Sequence, residues 1–220
     1  MIMQMKLALY GFLLFSLAPV ALAFNPISPE PTQPYEPIVL EGDAFIEREL
    51  LGTLDNYPVM YELTTDVAMD LVIKILQRAD ENVQPMNLIV VRDNEGKGGV
   101  VEVARLNQTT DKWTQVENKT VAATFIQSRT MNLSIPPGTY RIEVSTPDNV
   151  GNYMLIVGDE PTSVNYFKTL GNIFETQRHF EYSIFRFFLS PYVYVPLLII
   201  LIIGGLYYYY RPPKYSKYGT

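Results

Sequence analysis

Apolar residues alternate with polar ones through the middle of the chain and run almost without interruption near both ends. A period of two marks β-strands, because successive side chains face opposite sides of a sheet. Tyr57, Val59, Tyr61 and Leu63 line one face of a predicted strand, and Val67, Met69, Leu71, Ile73 and Ile75 line another. Further on, Met131, Leu133 and Ile135 alternate with Thr130, Asn132 and Ser134, and Tyr140, Ile142 and Val144 alternate with Arg141, Glu143 and Ser145. A last strand, Tyr153, Leu155 and Val157, ends at Gly158. The stretch 66–78 also admits a helix capped by Asp66, but its β-branched residues and strict alternation favour a strand. Pro136-Pro137-Gly138-Thr139 suits a type II turn, and Asp148-Asn149-Val150-Gly151 and residues 93–99 would close two more hairpins. Many short strands at this spacing predict a β-sandwich over residues 38–160.

The two uncharged blocks are addresses. Lys6, the apolar stretch 7–17 and the small-x-small pattern Ala21-Leu22-Ala23 predict a signal peptide over 1–23, with Pro19 and the short run arguing against an uncleaved membrane helix. Residues 192–210 carry no charge, and about 19 helical residues rising 1.5 Å each cross a hydrocarbon core of ~30 Å. Tyr192 and Tyr194 on one side and Tyr207, Tyr208, Tyr209 and Tyr210 on the other would sit at headgroup level. Arg211, Lys214 and Lys217 follow in a tail, 211–220, that the positive-inside rule assigns to the cytoplasm. The expected architecture is therefore all-β, a jelly-roll-like sandwich, followed by a juxtamembrane amphipathic helix over 164–190 and one transmembrane helix over 191–210, in type I orientation. Residues 24–37, with Pro26, Pro29, Pro31, Pro34 and Pro37, are read as an extended linker. In the segment 164–189, Phe167, Leu170 and Phe174 would share one helical face and Phe180, Ile184 and Phe188 a second, with Lys168, Arg178 and Arg186 in reach of lipid phosphates.

Three further features carry a family resemblance: Leu51-Gly52-Thr53-Leu54 before the 57–63 strand, Ile135-Pro136-Pro137-Gly138-Thr139-Tyr140-Arg141-Ile142-Glu143-Val144, and Gly151-Asn152-Tyr153-Met154-Leu155-Ile156-Val157. On these, the span from about 42 to 159 resembles the bacterial pre-peptidase C-terminal domain, a small jelly-roll sandwich often appended to secreted proteins. The resemblance implies a fold more than a function. The chain departs from that pattern by its long 107–128 segment and carries no protease in its 220 residues.

Charge and chemistry narrow the function. Residues 36–162 hold 20 acidic and 10 basic side chains, a balance that repels nucleic acid phosphates. The chain has no cysteine, which excludes disulfides, thiol nucleophiles, thiolate metal sites and a lipoprotein anchor. His179 is the sole histidine, and it is read as an interfacial residue of the amphipathic helix. Zinc or a catalytic triad built around it would need unusual parts. Glu41 with Asp43, Asp80 with Glu81, Asp93 with Glu95, and Asp148 offer hard oxygen ligands for Ca²⁺, but none has the spacing of a calcium loop, and they are read as solvated loop acids. The sequons at Asn107, Asn118 and Asn132 are candidate N-glycosylation sites, with Asn132 directed away from the core by the strand alternation. Trp113 would either stack on a sugar or fill the core. No enzyme, cofactor or metal is expected. The reading is a membrane-tethered extracytoplasmic module recognising a protein or glycan at the cell surface, with the lipid bilayer as a constant neighbour. The alternative is an accessory subunit of a membrane complex, making its contacts through the juxtamembrane and transmembrane helices.

Overall fold

A computed structural model describes residues 24–43, 45–79, 84–94, 98–109 and 111–210. The expected signal peptide and basic tail, including Arg211, Lys214 and Lys217, lie outside the described residues, as do Asp80, Glu81 and Glu95. The strands are β1 (Pro26–Ile27), β2 (Ile38–Val39), β3 (Arg48–Asp55), β4 (Val59–Thr65), β5 (Met69–Arg78), β6 (Asn87–Asp93), β7 (Val100–Leu106), β8 (Thr114–Asn118), β9 (Ala123–Gln127), β10 (Met131–Ile135), β11 (Gly138–Ser145) and β12 (Val150–Val157). They form two sheets. One runs β1-β3-β12-β5-β9-β8, with β10 also paired to β5, and the other runs β2-β4-β11-β6-β7.

The predicted alternation builds the space between the sheets. In β4, Val59, Tyr61 and Leu63 are buried while the residues between them are not, and β11 answers with Val144, Ile142 and Tyr140 directly opposite. From the other sheet, β5 contributes Met69, Leu71, Ile73 and Ile75, so the 66–78 stretch is a strand from Met69 onward. Val67, expected on that inner face, is instead 53% exposed. It sits at the corner where the chain leaves one sheet for the other, and Thr65 Oγ1 donates to its carbonyl at 2.8 Å.

Two predicted hairpins are corrected. β10 and β11 belong to different sheets, and so do β11 and β12, so residues 136–137 and 146–149 carry the chain across the sandwich instead of closing paired strands. Turn chemistry is the same in both cases, since a reversal needs the same backbone whether or not its arms pair. Of the three predicted hairpins, the one at 93–99 alone has paired arms, β6 with β7. The 107–128 segment folds as a second hairpin, β8 with β9. Where β9 passes to β10, Ser128 Oγ accepts the Ile75 amide at 3.1 Å, keeping the β5 ladder satisfied across the break.

Gly52 shows why the Leu51-Gly52-Thr53-Leu54 pattern needs its glycine. Tyr153 lies opposite Gly52 in the ladder, and a Cβ there would stand 2.3 Å from the tyrosine ring. The space lets Tyr153 lie across β3 and meet Tyr61 hydroxyl to hydroxyl at 2.9 Å, both rings fully buried. Burial pushes the Tyr61 phenol up to about 12 and raises Tyr153 well above the usual phenol range, so this core pair stays neutral.

The seven-stranded sheet is covered on its outer side as well. In β12 the five residues from Tyr153 to Val157 are all buried, alternating between the sandwich interior and a second cluster of Phe24, Leu51, Leu76, Val121, Ala123, Phe125, Met154, Ile156, Ile173 and Phe180. The last two come from helix α1 (Tyr166–His179) and its cap, Phe180. Residues 24–37, expected to be a linker, begin inside this layer. Phe24 is buried and β1 pairs in parallel with β3, an edge position that tolerates Pro26 because proline needs no partner for a missing N–H.

Candidate interaction surfaces

The predicted amphipathic helix over 164–190 is two pieces. α1 begins at an Asn165 cap, whose side chain accepts the Lys168 amide, and it ends at Phe180. Glu181 then takes a positive φ of 55°, and a 3₁₀ segment follows at Ile184–Leu189 before helix α2, Pro191–Tyr209. α1 turns Thr169, Asn172, Ile173, Thr176 and Gln177 onto the sheet, a face four-fifths polar. Asn172 donates to Phe24 O at 2.7 Å and Gln177 donates to Val121 O. The predicted aromatic face points away: Phe167 is 76% exposed and Phe174 43%. Phe180, Ile184 and Phe188 do not share a face, because the break at Glu181 buries the first and leaves the other two outside.

His179 is likewise corrected. Its ring nests on the sandwich, with Nε2 3.2 Å from Tyr153 O and the imidazole edge-on to Phe180, and its own carbonyl accepts Asn152 Nδ2. Burial holds its pKa below the ordinary histidine value, against the pull of the Tyr153 carbonyl.

α2 is long and apolar enough to cross a membrane, and Val193 is its one buried residue. Its start is clamped to the sandwich and to α1: Ser190 Oγ donates to Thr120 O at 2.7 Å, and Tyr166 Oη of α1 donates to Tyr192 O at 2.5 Å. Tyr192 is half-buried against Tyr166, whereas Tyr194, Tyr207, Tyr208, Tyr209 and Tyr210 are exposed. The sequence carries no obvious sign of the Ser190 clamp, since a serine before a proline reads only as a helix start.

On the other sheet, β7 is an edge strand, with β6 as its one paired neighbour among the described residues. Val100, Val101 and Val103 are 52%, 54% and 38% exposed. The register shifts between Val90 and Val91, which breaks the alternation that would have buried some of them. Beside them lies an open cleft of about 360 Å³ lined by Arg92, Asp93, Val101, Val103, Pro136 and Tyr140. Arg92 is fixed there by Pro137 O at 2.6 Å, and a Cβ on Gly138 would crowd its Nε at 2.9 Å. Arg141 ties β11 to both neighbours, bonding Glu62 at 3.2 Å and Asp93 at 3.0 Å. Val100 and Val101 are adjacent and so face opposite sides of the sheet, a run that the sequence does not distinguish from the doubly buried run Tyr153–Val157.

The remaining predicted positions are scattered. Asn107 Oδ1 accepts both the amide and the hydroxyl of Thr109, forming a closed turn. Asn118 Oδ1 accepts the Val121 amide in the β8–β9 turn, and Asn132 stands exposed on β10. Asp43 accepts the Phe45 amide and Asp148 the Thr146 hydroxyl, which are ordinary loop-bracing roles. Among the described residues, no three His, Asp or Glu side chains gather in a way that would hold a metal. Trp113 packs against the inner core.

No protein-family model matches this chain, and no curated protein does. Among solved structures, the chain is similar to the pre-peptidase C-terminal domain of collagenase from Bacillus anthracis, at 16% identity and a TM-score of 0.34, covering 58% of this chain and 97% of that one.

Proposed function

We propose that this chain is a single-span membrane protein whose β-sandwich stands outside the cytoplasm as an interaction module and receives a protein segment along the free edge of β7. The carrying observation is that edge: backbone N–H and C=O groups on one side of a strand with a single neighbour, flanked by three exposed valines. Such an edge offers main-chain hydrogen bonds for an added strand and alternate side-chain contacts for selectivity. A glycan is the weaker fit, because Trp113, the residue suited to stacking on a sugar, is packed against the core. The orientation rests on the signal-like residues 1–23 and the basic tail, and the fixed joint at Ser190 would hold the module at a set attitude to the bilayer.

The exposed aromatics of α1 and the 3₁₀ segment favour a second reading, a subunit that meets its partner within or beside the membrane. A photo-crosslinking amino acid placed at Val101 or at Phe188 in the full chain separates the two. Protein adducts from position 101 support the module. Adducts from 188 with none from 101 would replace it with the subunit.

A further inference from the structure

Helix α1 and the 3₁₀ segment lie side by side. Phe187, in the 3₁₀ segment, meets Phe174 of α1 edge-on at 6.0 Å between ring centroids, and Tyr192, just beyond that segment, meets Tyr166 at the start of α1. The chain therefore runs out along α1, turns at Glu181 and returns, making a plate two segments wide. One side of this plate is occupied by the sandwich. Asn172, Ile173, Thr176 and Gln177 are buried there, Asn172 and Gln177 donate to Phe24 O and Val121 O, and Ser190 at the end of the plate donates to Thr120 O. Phe167 and Phe174 point the other way, and Phe185, Phe188 and Leu189 are 78%, 53% and 64% exposed with them. Phe187 joins the two sets, edge-on to Phe174 on one side and to Phe188, at 5.9 Å, on the other. Glu175, the one carboxylate within α1, accepts the Ser28 hydroxyl at 3.0 Å, while Lys168 and Arg178 stand exposed toward either end of the helix.

An aromatic face of this kind is costly in water and calls for a cover. What covers it follows from what it is joined to. The membrane-length helix begins at Pro191, two residues after Leu189, and the Tyr166 hydroxyl donates to Tyr192 O, so the start of α1 stands beside the first turn of α2. A helix entering the bilayer there brings the exposed rings to the lipid interface at the same point, with no linker in which plate and span could part. Lipid already surrounds such a span, so it covers the adjoining face without any further act of recognition. Phenylalanine and leucine on one face with basic residues at the flanks is the pattern of segments that lie in the interface plane, their apolar side at the boundary of headgroups and acyl chains.

We propose that α1 and the 3₁₀ segment form an in-plane membrane anchor, bedded by their aromatic side at the boundary of headgroups and acyl chains, so that the sandwich rests directly on the bilayer. The inference rests on the reading of α2 as a membrane span. Its test places single tryptophans in the full chain, reconstituted in vesicles of phosphatidylcholine brominated either close to the headgroup or at the acyl-chain ends. Trp113, packed against the inner core, reports on the sandwich. In a Trp113→Phe background, Phe167→Trp and Phe188→Trp report on the plate, and Leu201→Trp, on the exposed surface of α2, reports on the span. Substitutions at such exposed positions leave the fold intact. Emission from positions 167 and 188 falls more with the shallow bromines than with the deep ones, emission from 201 falls in the reverse order, and Trp113 keeps its emission in both lipids. Quenching at 201 without quenching at 167 and 188 would overturn the proposal and give the face to a protein partner or a second copy of the chain. Quenching of Trp113 as strong as that at 167 and 188 would overturn it too, because the plate would then be no closer to lipid than the core of the sandwich. Absence of quenching at 201 is a different failure: it defeats the span, and the proposal falls with it.

Discussion

In the sandwich, apolar residues lie inside and polar ones outside, whereas in the C-terminal third the order reverses. Tyr61, Leu71 and Ile142 are fully buried between the sheets, and the residues beside them in sequence face outward. In α1 the buried face holds Thr169, Asn172, Thr176 and Gln177, while Phe167 and Phe174 face away from the protein. α2 carries the reversal furthest, with Leu197, Leu198, Ile200, Leu201 and Ile202 all exposed. A single solvent does not favour both arrangements, since large exposed apolar patches are costly in water. The difference is what the proposed membrane span asks for: a surface suited to water on the sandwich and one suited to an apolar phase beyond α1, with α1 as the seam.

The largest test of that contrast compares two phenylalanines. Phe125 is fully buried under α1, in edge contact with Phe180 at 5.1 Å, and Phe125→Ala should cost about 3–5 kcal/mol in denaturant unfolding. Phe185, 78% exposed, should cost no more than about 0.5 kcal/mol as Phe185→Ala in the same assay. Its loss should appear instead as weaker partitioning into vesicles. If both substitutions destabilise alike, the reversed polarity is not real.

Acidity probes the seam from the N-terminal side. Glu49 on β3 accepts the Asn25 amide at 2.8 Å, and burial is the main cause that pushes its carboxyl from 4.5 to about 7. The Asn25 bond and Lys74 oppose the shift, and Glu47 adds to it. Because the folded value exceeds the unfolded one, the folded chain binds the proton more tightly. The stability this group contributes is full below pH 4.5 and is lost as pH rises through about 7. Stability measured from pH 5 to pH 8 should therefore fall by roughly 2–3 kcal/mol on account of Glu49, and Glu49→Gln should remove that slope.

The polar face of α1 gives the smallest effect. Asn172→Ala removes the bond to Phe24 O and leaves a buried carbonyl unpaired, at about 1–2 kcal/mol. Thr176→Val should be neutral or slightly stabilising in a thermal melt, because the Thr176 hydroxyl is buried without a partner. A large loss from Thr176→Val would mean that the helix is held by contacts other than those described.

The strands were legible because burial on one face writes its period directly into the sequence, as in Val59-Met60-Tyr61-Glu62-Leu63. Pairing was not, since Pro136-Pro137-Gly138 has the same turn chemistry whether it closes a hairpin or crosses between sheets. The aromatic face of α1 was visible in the spacing of Phe167, Leu170 and Phe174. What the opposite face packs against was hidden, because Asn172 and Gln177 read as solvent-facing until Phe24 and Val121 supply their partners. Arg78 donates to the carbonyls of Phe180 and Glu181, more than a hundred positions later, a distance at which sequence pattern carries no signal.

The account turns on where lipid begins. The chain lacks cysteine, so single cysteines at Val101, Phe174 and Phe185 can each carry a nitroxide in full-length protein reconstituted in nanodiscs. Positions 174 and 185 should be relaxed strongly by oxygen and weakly by a water-soluble nickel chelate, with 101 showing the opposite. Equal chelate accessibility at all three positions would contradict it.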